Sequence, residues 1–266
     1  MAFDSGSTRR FVLARCAAIL AILVLAGPGL AAQPAGYQPL KIIDFPTAGL
    51  YAKGEYGIDL DAYSDGGLLI GVGVGFTSFL GFGITYGGVG FIGSADLDMN
   101  PRPEVNIRAR VYEEGLVMPA IAVGFDSQGY GKFLDKEERY LVKSRGFYAV
   151  GSKNWDLGGP LSLHGGLSYS LENDTDHDPT LFLGCIKLFA NVVEVAAEFD
   201  LAMNDNEGPE TIVEKRGYLN VAIAWRVSDR LSVAFDVRDL VTAKKAEAED
   251  ARKVNRGLSL SYRGRL

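Results

Sequence analysis

The chain has 266 residues, a net charge of −6 and 33 glycines. It carries no basic face and no aromatic-basic groove, which argues against nucleic acid as a partner. The length suits one domain, and no linker-like stretch divides it.

The chain begins with a segment typical of a secretory signal peptide. Arg9, Arg10 and Arg15 precede an apolar run over residues 17–26, and the small residues Gly29, Ala31 and Ala32 follow. The run is short for a membrane-spanning helix, although a single membrane anchor is the alternative. We therefore assign residues 1–32 as a cleaved signal peptide. Cys185 is then the only cysteine left, so no intramolecular disulfide is expected.

Twelve stretches after the signal alternate apolar and polar residues, as strands with one apolar face do. In the clearest one, Leu219, Val221 and Ile223 are separated by small or polar residues. Typical lengths suit the roughly 9–11 residues with which a tilted strand crosses a bilayer. A short helix is predicted at 242–253. The predicted strands are 49–63, 67–77, 79–92, 104–113, 118–126, 139–153, 161–172, 180–189, 192–202, 216–227, 231–239 and 257–266.

The connections between these strands alternate between short turns and longer polar loops, apart from the short first one at 64–67. Outer-membrane barrels have short turns on the periplasmic side and long loops outside. A soluble lipid-carrying barrel is the alternative, but it has no reason to sort its loops by length. We predict an all-β fold over 49–266, an antiparallel up-and-down transmembrane β-barrel of about 12 strands with both termini in the periplasm.

Charged residues recur on the predicted inner face of the barrel. Ions buried without a partner are costly, so we expect opposite charges to pair across the lumen. Such a network would fill a barrel of this intermediate size, whereas an open pore lined by the same charges is the alternative. The candidate lumen charges are Lys53, Glu55, Asp59, Asp61, Arg108, Arg110, Lys143, Arg145, Glu194, Glu198 and Asp200.

A row of glycines follows the second and third predicted strands. Glycine within a strand marks bending or the close approach of another backbone. We favour curvature of the wall, with residues 33–48 as an N-terminal periplasmic segment. The alternative is that 33–48 folds into the lumen against this row. The glycines are Gly71, Gly73, Gly75, Gly81, Gly83 and Gly87.

No catalytic, metal or cofactor site is predicted. His164 has Ser162 and Ser168 nearby in sequence, but no motif with a hydrolase mechanism surrounds them. Aspartates at 174, 176 and 178 begin like a calcium loop, yet the glycine and glutamate that such a loop needs are absent. We therefore expect a protein that is not an enzyme and has no cofactor.

Several segments resemble the repeated hairpin of the YjbH family of bacterial outer-membrane proteins. They are VNIRAR at 105–110, MPAIAVGFD at 118–126, SQGYG at 127–131 and KSRGFYAV at 143–150. The chain is also similar, over nearly its whole mature length, to shorter secreted β-barrel proteins that share PTAG, NPRP and FDSQGYG segments. These stand here at 46–49, 100–103 and 125–131.

The YjbH resemblance implies a structural or accessory role in envelope or exopolysaccharide export; a passive pore for small solutes is the alternative. The expected partners are outer-membrane lipid, the barrel-assembly machinery and envelope export components, with no nucleic acid. The resemblance supplies no functional residue.

We predict that the mature protein fractionates with the outer membrane, because the signal directs secretion and the strands present an apolar face. Its mobility on gels should depend on heating, as for a barrel that stays folded in detergent. Recovery from the soluble periplasmic fraction would contradict the membrane assignment.

Overall fold

The computed structural model describes residues 38–172, 176–205, 217–240 and 255–266. The helix predicted at 242–253 lies outside these ranges. The one helical element described is a 3-10 turn at Met203–Asp205. The strands are β1 Glu55–Tyr63, β2 Gly67–Gly75, β3 Leu80–Val89, β4 Asp98–Met99, β5 Glu104–Tyr112, β6 Ala120–Asp126, β7 Tyr130–Leu134, β8 Arg139–Val142, β9 Gly146–Asp156, β10 Pro160–Tyr169, β11 Thr180–Phe189, β12 Val193–Asp200, β13 Tyr218–Arg226, β14 Leu231–Arg238 and β15 Asn255–Arg265.

Twelve of these strands form one closed antiparallel barrel. Each pairs with its neighbour along the chain, and β1 pairs with β15, from Glu55 opposite Arg265 to Ala62 opposite Leu258. The remaining strands lie outside this ring: β4 pairs with β3, and β7 and β8 form a separate hairpin between β6 and β9. The predicted up-and-down topology and strand number are confirmed.

Two predicted strand boundaries are wrong. The first barrel strand begins at Glu55 rather than at 49, and the sixth begins at Gly146 rather than at 139. Residues 139–142 do form a strand, but it belongs to the β7–β8 hairpin, where Tyr140 and Val142 are buried. Alternation of apolar residues reports a half-buried strand and does not specify the sheet to which the strand belongs.

The outer face of the barrel is apolar along alternate positions. Trp225 retains 58% of its exposure and Ile223 52%, while the intervening positions point inward. This confirms the predicted outward faces and gives the wall the apolar band of a membrane-spanning barrel. Other exposed apolar residues are Ile58, Leu60, Ile70, Val72, Phe82, Ile84, Val105, Ile107, Val195, Phe235, Leu258 and Leu260.

No helix within the described ranges is long and apolar enough to cross a membrane.

The two ends of the barrel differ in the length of their connections. We call the end with the shorter connections the turn end and the end with most of the longer ones the loop end. The turn end carries the chain terminus Leu266, whose amide donates to the Gly54 carbonyl over 2.8 Å. The loop end carries the first connection at 64–66 and the longer ones. The turn end has the connections 76–79, 113–119, 157–159, 190–192 and 227–230, and the loop end has 90–103, 127–145, 170–179, 201–217 and 239–254.

We predict that the loop end faces the cell exterior, because outer-membrane barrels place their long loops there. In a Cys185→Ser background, the Glu137→Cys variant should react with a membrane-impermeant maleimide on intact cells. The Asp229→Cys variant, in a turn at the other end, should react only after the outer membrane is permeabilised. The opposite labelling pattern would refute this orientation.

Candidate functional site in the barrel lumen

Residues 38–48 form a tight hairpin inside the barrel, which we call the lumen hairpin. The Ile42 amide donates to the Phe45 carbonyl over 2.8 Å, and the Thr47 amide donates to the Leu40 carbonyl over 3.1 Å. The assignment of this segment as a separate periplasmic element is therefore corrected for 38–48. Residues 33–37 lie outside the described part of the chain.

The hairpin begins at the turn end and turns back close to the loop end of the lumen. At its start, the Gln38 carbonyl accepts a hydrogen bond from Arg263, close to the C-terminus. At its tip, Asp44 pairs with Arg238 at the far end of β14. The chain then returns to the turn end before β1 begins. Both legs therefore run along the inside of the wall.

The tip is held by the carboxylate of Glu198 on β12. This carboxylate accepts hydrogen bonds from the consecutive amides of Ile43, Asp44 and Phe45 at 3.0–3.1 Å. It also accepts one from the Asn220 side chain at 2.8 Å. Glu198 is 1% exposed, so these donors replace the water that the buried charge has lost.

A second ionic contact joins the tip to the loop end. The Asp44 carboxylate accepts hydrogen bonds from the Arg238 Nε at 2.9 and 3.1 Å. Arg238 also donates to Asp236 and to the Tyr130 hydroxyl of β7, and its guanidinium lies 4.2 Å from the Tyr130 ring centroid. One arginine thus connects the hairpin, the wall and the β7–β8 hairpin.

Phe45 provides the apolar anchor. Its side chain is 1% exposed, and its ring stacks on that of Phe182 with the centroids 4.2 Å apart. The Arg145 guanidinium also lies over the Phe45 ring, 3.6 Å from its centroid. Arg145 in turn donates to Asp200 at 3.3 Å. The same buried cluster includes Ile42, Ile43, Ala48, Ala122, Tyr148, Val150, Ile186 and Ala196.

The two arginines of β5 bind the legs of the hairpin. Arg108 donates to the carbonyls of Leu40 and Gly49, at 2.6 and 2.9 Å, and so joins both legs. Arg110 donates to the Ala48 carbonyl at 3.0 Å. Both side chains point into the lumen, where they bind backbone carbonyls of the hairpin. The acidic partner of Arg110 is Glu113, three positions further along the chain rather than across the lumen.

His164 also contributes to this attachment. The Ala48 amide donates to the Ser152 hydroxyl over 2.8 Å, and that hydroxyl is 2.8 Å from the His164 Nδ1. The serine that His164 contacts is therefore Ser152 rather than Ser162 or Ser168. Within the described residues, the buried His164 Nε2 has no hydrogen-bond partner. The contact with His164 therefore orients the Ser152 hydroxyl, which accepts the hydrogen bond from the hairpin.

The predicted lumen charges thus form few pairs with one another. Within the predicted set, Arg145, just before β9, forms an ion pair with Asp200 at the end of β12. Four members of the set instead bind backbone groups or Lys41 of the lumen hairpin, whose position the strand pattern does not predict. They are Glu198, Arg108, Arg110 and Asp61.

The other predicted charges are distributed as follows. Glu55 accepts the Ala52 amide at 2.8 Å, and Asp59 accepts the Ser261 hydroxyl at 2.5 Å. Glu194 is buried on the inner face of β12. Three positions are corrected, because none of them lies on a barrel strand. Lys53 is exposed in the turn before β1, Lys143 follows β8 and donates to loop carbonyls at 176 and 204, and Arg145 directly precedes β9.

The loop between β6 and β9 packs across the loop end. Arg139 pairs with Asp205 at 2.7 Å, and the Tyr140 hydroxyl donates to Glu104 at 3.1 Å. The Glu172 carboxylate accepts the amides of Tyr140 and Ser144. Burial raises the pKa of Glu172, and burial together with the Glu104 carboxylate raises the pKa of Tyr140. These contacts fix the loop against its neighbours.

The glycine row faces two different surroundings. A Cβ on Gly73 would lie 2.7 Å from the Tyr51 ring, and one on Gly75 would lie 2.1 Å from the Ala52 carbonyl oxygen. Close approach of another backbone therefore explains these two positions, although the approaching residues are 51–52 and not 33–48. Gly71 is different, since its nearest neighbour would be the Thr85 hydroxyl at 3.3 Å.

Beside the hairpin the lumen retains a cavity of about 670 Å³. Its lining extends from the turn at 228–230 to Tyr130 and Lys143 near the loop end. Many residues of the wall that faces it are small, and they stand among charged residues of β1, β13 and β15. The small residues are Gly71, Gly73, Gly81 and Gly83 on β2 and β3, Ala222, Ala224, Ser232 and Ala234 on β13 and β14, and Ser259 and Ser261 on β15.

The ring of strands, its apolar outer face and its polar interior define a transmembrane β-barrel whose lumen is partly occupied by its own N-terminal segment. No protein-family model matches the chain, and no curated protein sequence is similar to it. The YjbH resemblance therefore stays a prediction.

Several solved structures are similar in outline. KdgM porin is 12% identical with a TM-score of 0.48, over 77% of this chain and 98% of its own. NanC porin is 8% identical with a TM-score of 0.47, over 79% and 99%. An outer membrane channel from Pseudomonas putida F1 is 11% identical with a TM-score of 0.45, over 88% and 100%. At these values the likeness decides nothing about activity, and the fold assignment rests on the strand pairing described above.

We predict that Phe45→Ala loosens the lumen hairpin, because it removes the buried ring between Phe182 and Arg145. The expected loss is about 3 kcal/mol of hairpin attachment. It should appear as faster proteolysis within 38–52 of the folded barrel in detergent. Phe147→Ala, which truncates a ring that is 57% exposed on the outer face, is the control. Equal protease resistance in all three proteins would contradict the assigned anchor.

Proposed function

We propose that the protein is an outer-membrane channel that lets small polar solutes pass through a lumen narrowed by its own hairpin. The apolar outer face supports the membrane location. Such a band with alternating inner polar positions is the pattern of barrels inserted in bacterial outer membranes. Of the two roles considered from the sequence, the passive pore fits the geometry better than an accessory part of exopolysaccharide export.

The observation that carries the proposal is the cavity beside the hairpin. It has polar and charged lining along its whole length, so water can occupy it. Acidic and basic side chains are equally numerous in this lining, with eight of each. A balanced lining favours neither ion strongly and is unlike a ring of one charge sign.

The division of the lumen supports the same proposal. Large and charged side chains of β5, β9 and β11–β14 hold the hairpin, whereas glycine, alanine and serine interleave with a few charged side chains on the opposite wall. A barrel of twelve strands is wider than one that side chains alone can fill. The hairpin therefore fills one half, and the small residues keep the other half unfilled.

We predict a steady conductance in planar bilayers that is smaller than that of open porins with 16–18 strands, because the hairpin occupies part of the lumen. Gly71→Phe should reduce it at least roughly twofold, since the new ring points into the cavity and its Cβ meets no backbone closer than 4.0 Å. Ile70→Phe is the control, because Ile70 is 48% exposed on the lipid side.

Both variants must first be shown to fold by heat-dependent gel mobility. A wild-type protein that inserts but does not conduct would overturn the channel proposal. An equal effect of the two phenylalanines would show that the current does not follow the glycine wall.

A further inference from the structure

One ion pair of the lumen hairpin reaches β1. The Lys41 Nζ lies 3.1 Å from the Asp61 carboxylate on β1. The tip and the returning leg are held instead by β5, β9 and β11–β14. The side chain of Lys41 therefore extends from the hairpin to the β1 side, and both residues line the cavity.

This ion pair is accessible to solvent. The Lys41 side chain retains 42% of its exposure and that of Asp61 retains 18%, although both point into the barrel. Asp59, which lies two positions before Asp61 on the same face of β1, lines the same cavity. Asp59 lies between Gly71 and Ser261 on the neighbouring strands, and Asp61 lies between Leu69 and Ser259. All three charged side chains line the cavity, and Asp59 has only small neighbours across the strands.

We propose that the Lys41–Asp61 ion pair crosses the open half of the lumen and determines the charge selectivity of the channel. This inference rests on the proposed channel function. Lys41 compensates one of two neighbouring carboxylates, so a passing ion meets a nearly balanced group of charges. Removing the ammonium leaves Asp59 and Asp61 exposed to the path, and removing the Asp61 charge leaves the ammonium facing Asp59 alone.

The pair is suited to such a role because it is only partly buried. Ion pairs in contact with water contribute little to stability, since solvent screens the charges and both side chains lose freedom. Changing either residue should therefore alter the cavity without unfolding the barrel. The hairpin would keep its attachment through Glu198, Phe45 and Arg108.

The test measures reversal potentials of single variants in planar bilayers across a KCl gradient. Lys41→Met should raise the ratio of potassium to chloride permeability at least about threefold, and Asp61→Asn should lower it. The exchanged double variant Lys41→Asp with Asp61→Lys should return towards the wild-type ratio. Lys132→Met is the matched control, because Lys132 pairs with Asp98 at 3.2 Å outside the cavity lining.

Each outcome separates the two proposals. If the wild type conducts and the Lys41 and Asp61 variants keep its permeability ratio, the selectivity inference is wrong and the channel proposal stands. If Lys132→Met shifts the ratio as much as Lys41→Met, the inference is also wrong. If the folded wild type carries no current, the channel proposal fails and this inference fails with it.

Discussion

The arrangement of the lumen depends on one buried carboxylate. Glu198 receives three consecutive backbone amides from the tip of the lumen hairpin and a fourth donor from Asn220. A carboxylate buried at this depth is strongly unfavourable unless donors replace its water. Equally, three adjacent amides inside a barrel need an acceptor. Each group satisfies the other, so the hairpin can lie inside the lumen with these three amides paired.

The other hairpin contacts also give each buried polar or apolar group a matching partner on the wall. Asp44 finds Arg238, Phe45 packs between Phe182 and Arg145, and the arginines of β5 receive the carbonyls of the legs. Arg238 also contacts the β7–β8 hairpin at the loop end. Hairpin, wall and loops therefore share charged groups, and the lumen behaves as one packed assembly on its occupied side.

The unoccupied side has the opposite character. Where the hairpin is absent, the wall carries many glycine, alanine and serine residues among a few charged ones, and a cavity remains. Both halves are needed. Large residues on every strand would close the cavity, and small residues on every strand would leave the hairpin without anchors. The Lys41–Asp61 pair is the point at which the two halves meet.

The alternation of apolar and polar residues determined the wall: the number of strands, their outward faces and the sorting of loops at the two ends. These properties are local, since a strand of period two shows its faces in its own sequence. The tertiary structure alone decided the contents of the lumen. Glu198 contacts an amide 155 positions away in the chain, and residues 38–48 show no alternation that would reveal their location. Inward charges could be recognised by their side of the strand, but their partners could not, because pairing across a lumen depends on what else enters it.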